Sequence, residues 1–164
     1  LVLKTCWFRG RFAEMASGVG AETDVLEVEA GQPLGAELVA GKLAGGSYDV
    51  VTMVQGETSC GVWTVELPEI VRLAKQHGAL TIVDSVCTLS TMPFKTDELG
   101  IDVVFTGSQK GLSSLPGVAL IVFSDAAWEV LKERPGAKPH WCLDVLRAQE
   151  FWEGQAYHLS LIHI

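Results

Sequence analysis

Short apolar runs alternate along this chain with stretches whose apolar positions recur every three or four residues. Residues 2–7, 24–29, 48–54, 80–83, 103–106 and 118–123 read as strands. Residues 11–18, 34–43 and 64–77 read as helices, and Ser124 is placed to cap a further one reaching to about Lys132. The clearest helix is 64–77. Pro68 suits its first turn, Leu67, Ile70, Val71 and Ala74 make its apolar stripe, and Gly78 stops it. In 34–43, Leu34, Leu38 and Leu43 fall near one face. Strands that are apolar almost throughout, alternating with helices, predict an α/β fold: a mostly parallel sheet with helices on both faces.

Residues 135–139, with a proline at each end, interrupt the pattern as a turn or linker. An aromatic-rich stretch follows, with Trp141, Phe151, Trp152 and Tyr157. The last six residues, 159–164, carry no turn signal and read as a non-native tail, which leaves residues 1–158 as part of one domain. The start at Leu1 points to a missing N-terminus, and no charged-then-apolar leader opens the chain.

At 164 residues the length suits one domain, and 48% apolar content with a positive mean hydropathy argues for a packed core. Acidic residues outnumber basic ones by 20 to 12, for a formal charge of −8. That balance disfavours nucleic acid and anionic membrane surfaces as partners, since both ask for a basic face. No apolar run is long enough to cross a bilayer. Cys6, Cys60, Cys87 and Cys142 are scattered, without the paired spacing of a zinc site or a disulfide framework. They read as free thiols, with no metal expected.

Three strand ends open into loops of small and polar residues. These are Gln55-Gly56-Glu57-Thr58-Ser59-Cys60-Gly61, Asp84-Ser85-Val86, and Gly107-Ser108-Gln109-Lys110-Gly111. In open α/β sheets ligands bind beyond the carboxyl ends of strands. A lysine and an aspartate at neighbouring strand ends suit pyridoxal phosphate (PLP) chemistry. Lys110 would condense its amine with the cofactor aldehyde and then move the substrate Cα proton. Asp84 would accept a hydrogen bond from the protonated ring nitrogen, a charge-assisted bond of roughly 1.5–3 kcal/mol. Thr58 would reach the phenolic oxygen, Val86 the ring face and Gln109 the phosphate. The ordinary reading stays open for each: surface lysine, helix-starting aspartate, turn threonine, core valine, solvated glutamine. Gly18-Val19-Gly20 lacks the third glycine and preceding strand of a dinucleotide site, and Lys110 lacks the spacing of a phosphate-loop lysine.

Together these loops, with Val83-Asp84-Ser85-Val86-Cys87-Thr88-Leu89 and Pro116-Gly117, resemble class V aminotransferases. The nearest likeness is the alanine–glyoxylate and serine–pyruvate aminotransferase group. Its motifs are E-[ST]-S-T-G-V, V-D-[SA]-V-[AS]-[ST]-L-G and G-S-Q-K. The resemblance implies the type I PLP-dependent transferase fold, with the central part of the large domain here and the small C-terminal domain absent. It implies Lys110 as the Schiff-base lysine, Asp84 as the pyridinium partner, Val86 as the ring contact, and Thr58, Gln109 and Tyr157 as further cofactor contacts. It also implies a homodimer, and transfer of an amino group from serine or alanine to glyoxylate or pyruvate. The fragment alone is expected to be inactive. Cys60 and Cys87 depart from the motifs as small swaps that spare the named contacts. A cysteine desulfurase has histidine before its lysine, where Gln109 stands. A 2-aminoethylphosphonate transaminase and a non-catalytic binding module stay open as alternatives.

Overall fold

A computed structural model of the chain describes residues 1–5, 7–134 and 140–152. Six strands form one sheet in the order β2-β1-β3-β6-β7-β8: β1 Val2–Lys4, β2 Val25–Glu27, β3 Val50–Val54, β6 Leu80–Asp84, β7 Val103–Gly107 and β8 Ala119–Phe123. Every neighbouring pair is parallel except β7 and β8, which run antiparallel. Two short strands, β4 Gly56–Glu57 and β5 Val62–Trp63, make a separate antiparallel hairpin just beyond β3.

Side chains on successive strand residues point to opposite faces, so each strand can bury both. Val51, Met53, Val83 and Val104 join one core with α2 (Ala36–Ala44) and α3 (Leu67–Gln76). Phe105 points to the other face and meets Phe12 of α1 (Trp7–Gly18) edge-on, with ring centroids 5.8 Å apart. The expected arrangement of helices on both faces of a mostly parallel sheet is thereby met.

Where element bounds differ from the sequence reading, the reasons are local. The run 2–7 is strand only to Lys4, because a short apolar run cannot by itself distinguish strand from buried helix, and α1 begins at Trp7. The helix expected over 64–77 begins at Leu67. Thr64 instead donates its hydroxyl to the Val54 carbonyl at 2.8 Å and its N–H to Gln55 O, fastening the chain to the end of β3. Gly78 follows α3 at φ 77°, as its role as a stop requires. In α2 the buried positions are Ala36, Val39 and Leu43, whereas Leu38 is 52% exposed. Helical spacing from Leu43 selects position 39 rather than 38. Ser124 caps α5 (Asp125–Glu133) as expected, accepting the Ala127 N–H at 3.2 Å.

The expectation of covered strands fails at β8. Leu120, Ile121 and Val122 of this edge strand are all exposed.

The chain divides into two compact units, Leu1–Ala127 and the residues from Trp128 onward. In the second, a short 3-10 turn, Trp141–Leu143, precedes α6 (Val145–Trp152). Asp144 caps α6 by accepting the N–H groups of Leu146 and Arg147, and the Arg147 guanidinium lies over the Trp141 ring. α4 (Thr96–Leu99) completes the helices of the first unit. Among the described residues no helix is long and apolar enough to cross a membrane, and no group of three or more His, Cys, Asp or Glu is arranged to hold a metal ion.

Candidate active site

Because β3, β6 and β7 are parallel neighbours, their carboxyl ends fall on one edge of the sheet. Val54 pairs with Asp84, and Asp84 with Phe105, so the three loops leave the sheet side by side.

Hydrogen bonds then tie each loop to the next. Gln55 donates its N–H to Asp84 O at 2.9 Å, and its buried side-chain oxygen accepts the Thr88 hydroxyl at 2.6 Å. Ser85 N–H donates to Phe105 O at 3.0 Å, and Gly111 N–H donates to Val86 O at 3.2 Å. The Ser90 hydroxyl donates to Gly111 O at 2.6 Å. A methyl group at Gly111 would collide with the Leu89 carbonyl oxygen, which explains why glycine follows the lysine. At Gly56 a Cβ would stand 2.5 Å from Thr88 Cγ2, so the first loop is pressed against the second in the same way.

Ser108 shapes the third loop. Its hydroxyl donates to Leu115 O at 2.6 Å, its N–H to Val118 O, and its carbonyl accepts Ser114 N–H. The turn is therefore pinned at both ends, with Lys110 between them.

On this frame Lys110, Gln109 and Thr58 are exposed, while Asp84 and Val86 are partly buried. One carboxylate oxygen of Asp84 accepts the Val86 N–H at 2.8 Å, which fixes the carboxylate direction. The Gln109 side chain folds back over Gly107. Cys87 is less passive than its small size suggests, because its thiol donates to the Thr58 hydroxyl at 3.7 Å. Cys60 and Cys87 are in no disulfide. Tyr157 lies outside the described residues.

Two clefts of about 520 and 200 Å³ lie beside α3 and α4, and neither is lined by Lys110, Asp84 or Thr58.

The class V aminotransferase family model matches residues 11–144. The chain belongs to the class V aminotransferase family. An uncharacterised aminotransferase of Methanocaldococcus jannaschii is 37% identical over 149 residues, covering 89% of this chain and 38% of the relative. The alanine–glyoxylate aminotransferase 1 of Saccharomyces cerevisiae is 34% identical over 127 residues, covering 76% and 33%. Among solved structures, an alanine–glyoxylate aminotransferase from Nostoc sp. superposes with a TM-score of 0.91 at 27% identity, covering 96% of this chain and 43% of that one. The chain therefore spans well under half the length of the class V relatives it matches.

Sequence reasoning found all three loops of this member of the class V family but missed two features within them. Glu57 is buried at 2% exposure. One oxygen accepts the N–H and hydroxyl of Ser59, and the other has no hydrogen-bond partner among the described residues. Gly111 is a junction where groups from the 86–90 segment and from its own loop meet. Nothing local signalled the burial of Glu57, which sits in a strand of only two residues, or the convergence on Gly111.

Proposed function

We propose that residues 1–158 are the central part of the PLP-binding large domain of an aminotransferase, with residues 159–164 a non-native tail. The full-length protein moves an amino group from a small amino acid, serine or alanine, to a 2-oxo acid, glyoxylate or pyruvate. The small C-terminal domain lies in the remainder of that protein, which functions as a homodimer.

The observation that carries this reading is the mutual bonding of the Thr58, Asp84 and Lys110 loops at one sheet edge. An amine, a carboxylate and a hydroxyl on one rigid platform are the donor set a charged heterocycle with an aldehyde requires, so these residues fit PLP. When bound, PLP supplies an aldehyde and an electron-withdrawing ring. Lys110 would hold the cofactor through its amine and would carry the proton to and from the substrate Cα. Asp84, its direction set by the Val86 N–H, would keep a proton on the ring nitrogen. Thr58 would donate to the phenolic oxygen, Val86 would pack on the ring face and Gln109 would reach the phosphate, with Tyr157 a further cofactor contact by the family resemblance. Amino-acid and 2-oxo-acid substrates follow from the family; their identities follow from the alanine–glyoxylate relatives.

The desulfurase alternative has less support. Gln109 occupies the position where those enzymes carry histidine, and a cysteine desulfurase from Thermococcus onnurineus shares the fold at a TM-score of 0.64.

Borohydride reduction of the full-length protein with PLP, followed by peptide mass spectrometry, tests the assignment. A pyridoxyl adduct on Lys110 is expected; an unmodified Lys110 would favour a non-catalytic module. Half-reactions with a panel of amino acids then identify the donor.

A further inference from the structure

Among the described residues, two that are not glycine hold a positive φ: Ser90 at 72° and Ser113 at 54°. In that left-handed region a Cβ crowds the backbone, so the conformation is costly for any residue but glycine. Such outliers persist only where the surroundings over-determine them, and they gather at functional sites.

These two lie on different loops, one after β6 and the other after β7, yet their hydroxyls share one acceptor. Both donate to the carbonyl oxygen of Gly111, Ser90 from 2.6 Å and Ser113 from 3.4 Å. Gly111 is buried and directly follows Lys110. Its N–H is already taken by the Val86 carbonyl, and the Lys110 carbonyl accepts the Ser113 N–H at 2.9 Å. The peptide groups on both sides of Gly111 are therefore held, and through them the backbone of Lys110. Both serines are exposed, so water would satisfy either hydroxyl without strain. What the pair adds is direction.

We propose that Ser90 and Ser113 are positioning residues, a two-serine clamp on the Gly111 carbonyl that fixes the Lys110 backbone relative to the Asp84–Val86 loop. Its consequence for catalysis rests on the reading of Lys110 as the cofactor lysine; the restraint itself does not. Ser90 carries more of it, having the shorter bond.

The decisive variant is Ser90→Gly in the full-length protein, with Ser113→Gly and Ser90→Ala beside it. Ser90 stands where the motif V-D-[SA]-V-[AS]-[ST]-L-G ends in glycine, and glycine adopts a φ near 70° freely, so S90G removes this chain's own hydroxyl while relieving the strain. A serine needed only for turn shape would make this change neutral or stabilising. For a clamp, hydrogen–deuterium exchange of the cofactor-free protein should show the Gly111 and Ser113 amides opening roughly fivefold faster in S90G, and less so in S113G. In the PLP-loaded protein the pH midpoint of the visible absorbance band should shift, and kcat should fall with KM little changed. Wild-type exchange and an unmoved midpoint in S90G would overturn the clamp. So would a shift seen in S90A but not in S90G, because that pattern makes backbone shape the determinant. Failure to trap pyridoxyl on Lys110 in the unsubstituted protein overturns the transaminase reading instead, and the exchange result then decides the clamp alone.

Discussion

Asp84 and Asp102 stand beside adjacent strands of the same sheet, at opposite ends, and their surroundings assign them opposite tasks. Asp102 precedes β7 and is 1% exposed. One oxygen accepts the Thr81 N–H and hydroxyl at 2.9 and 3.0 Å; the other accepts the Ser124 hydroxyl at 3.0 Å and the Lys75 ammonium at 3.2 Å. Every direction from which a ligand might approach is filled by the protein. Asp84 ends β6, is only partly buried, and lies where three loops rich in glycine, serine and threonine leave the sheet. The amino ends of these strands are sealed by α3 and the cap of α5, whereas the carboxyl ends are left for binding. The two carboxylates thus differ in which strand end they occupy and in how deeply they are buried.

Substitutions in the full-length protein can break or sharpen that contrast. Lys110→Ala should have the largest effect, lowering kcat about a thousandfold or more, near 4 kcal/mol. Urea unfolding should change by less than about 0.5 kcal/mol, because the side chain is exposed. Asp102→Ala should do the reverse. Removing the buried partner of Lys75, Thr81 and Ser124 costs about 3–5 kcal/mol of stability, read as a lower urea midpoint, and the folded remainder keeps its pyridoxyl labelling at Lys110. Equal stability loss in an Asp84 variant would erase the distinction between the two ends. Asp84→Asn should slow turnover roughly 10- to 100-fold, the worth of one charge-assisted bond. It should barely change stability, since the amide oxygen still accepts the Val86 N–H.

The smallest effect belongs to a half-buried cluster around Asp24. Asp24 accepts hydrogen bonds from the Lys42 ammonium at 2.8 Å and the Tyr48 hydroxyl at 2.6 Å, and chiefly the Lys42 bond holds its carboxyl below the usual carboxylate range. A depressed carboxylate contributes stability that is present above the unfolded value, about 4, and is lost as pH falls through the folded one. The same bonds raise Lys42 and Tyr48, whose contributions hold below about pH 10 and fade as pH rises through their folded values. Unfolding curves of Asp24→Asn and the unsubstituted protein should therefore converge below about pH 4, and differ less in 1 M salt. A gap that persists at pH 2 would show that the charge is not what Asp24 contributes.

How legible all this is from sequence varies with the range of the interaction. The apolar stripe of α3 and its Gly78 stop can be read because helix periodicity and capping involve residues a few positions apart. Leu38 misleads because a three-to-four-residue rhythm tolerates an error of one position, and only the packed core shows that Val39 faces inward. The exposed β8 misleads because an apolar run announces its wish for burial without saying what is there to bury it. At the site, the small-residue loops around Thr58, Asp84 and Lys110 are visible as patterns. Asp84 after the 80–83 run and Asp102 before the 103–106 run differ in strand end already in the sequence, but the enclosure of Asp102 by Lys75, Thr81 and Ser124 does not show there.

The chain by itself determined the six strands of the main sheet and helices α1, α2, α3 and α5, that the strands suit a parallel sheet, and that three strand ends open into small, polar loops carrying Thr58, Asp84 and Lys110. Those follow from periodicity and composition over short spans. Tertiary structure alone decided that the loops after β3, β6 and β7 share one edge, that Asp102 is enclosed while Asp84 is reachable, and that two strained serines meet at Gly111. These outcomes depend on strand order and on hydrogen-bond partners more than twenty positions apart, such as Ser90 and Gly111, and no local pattern encodes such partners.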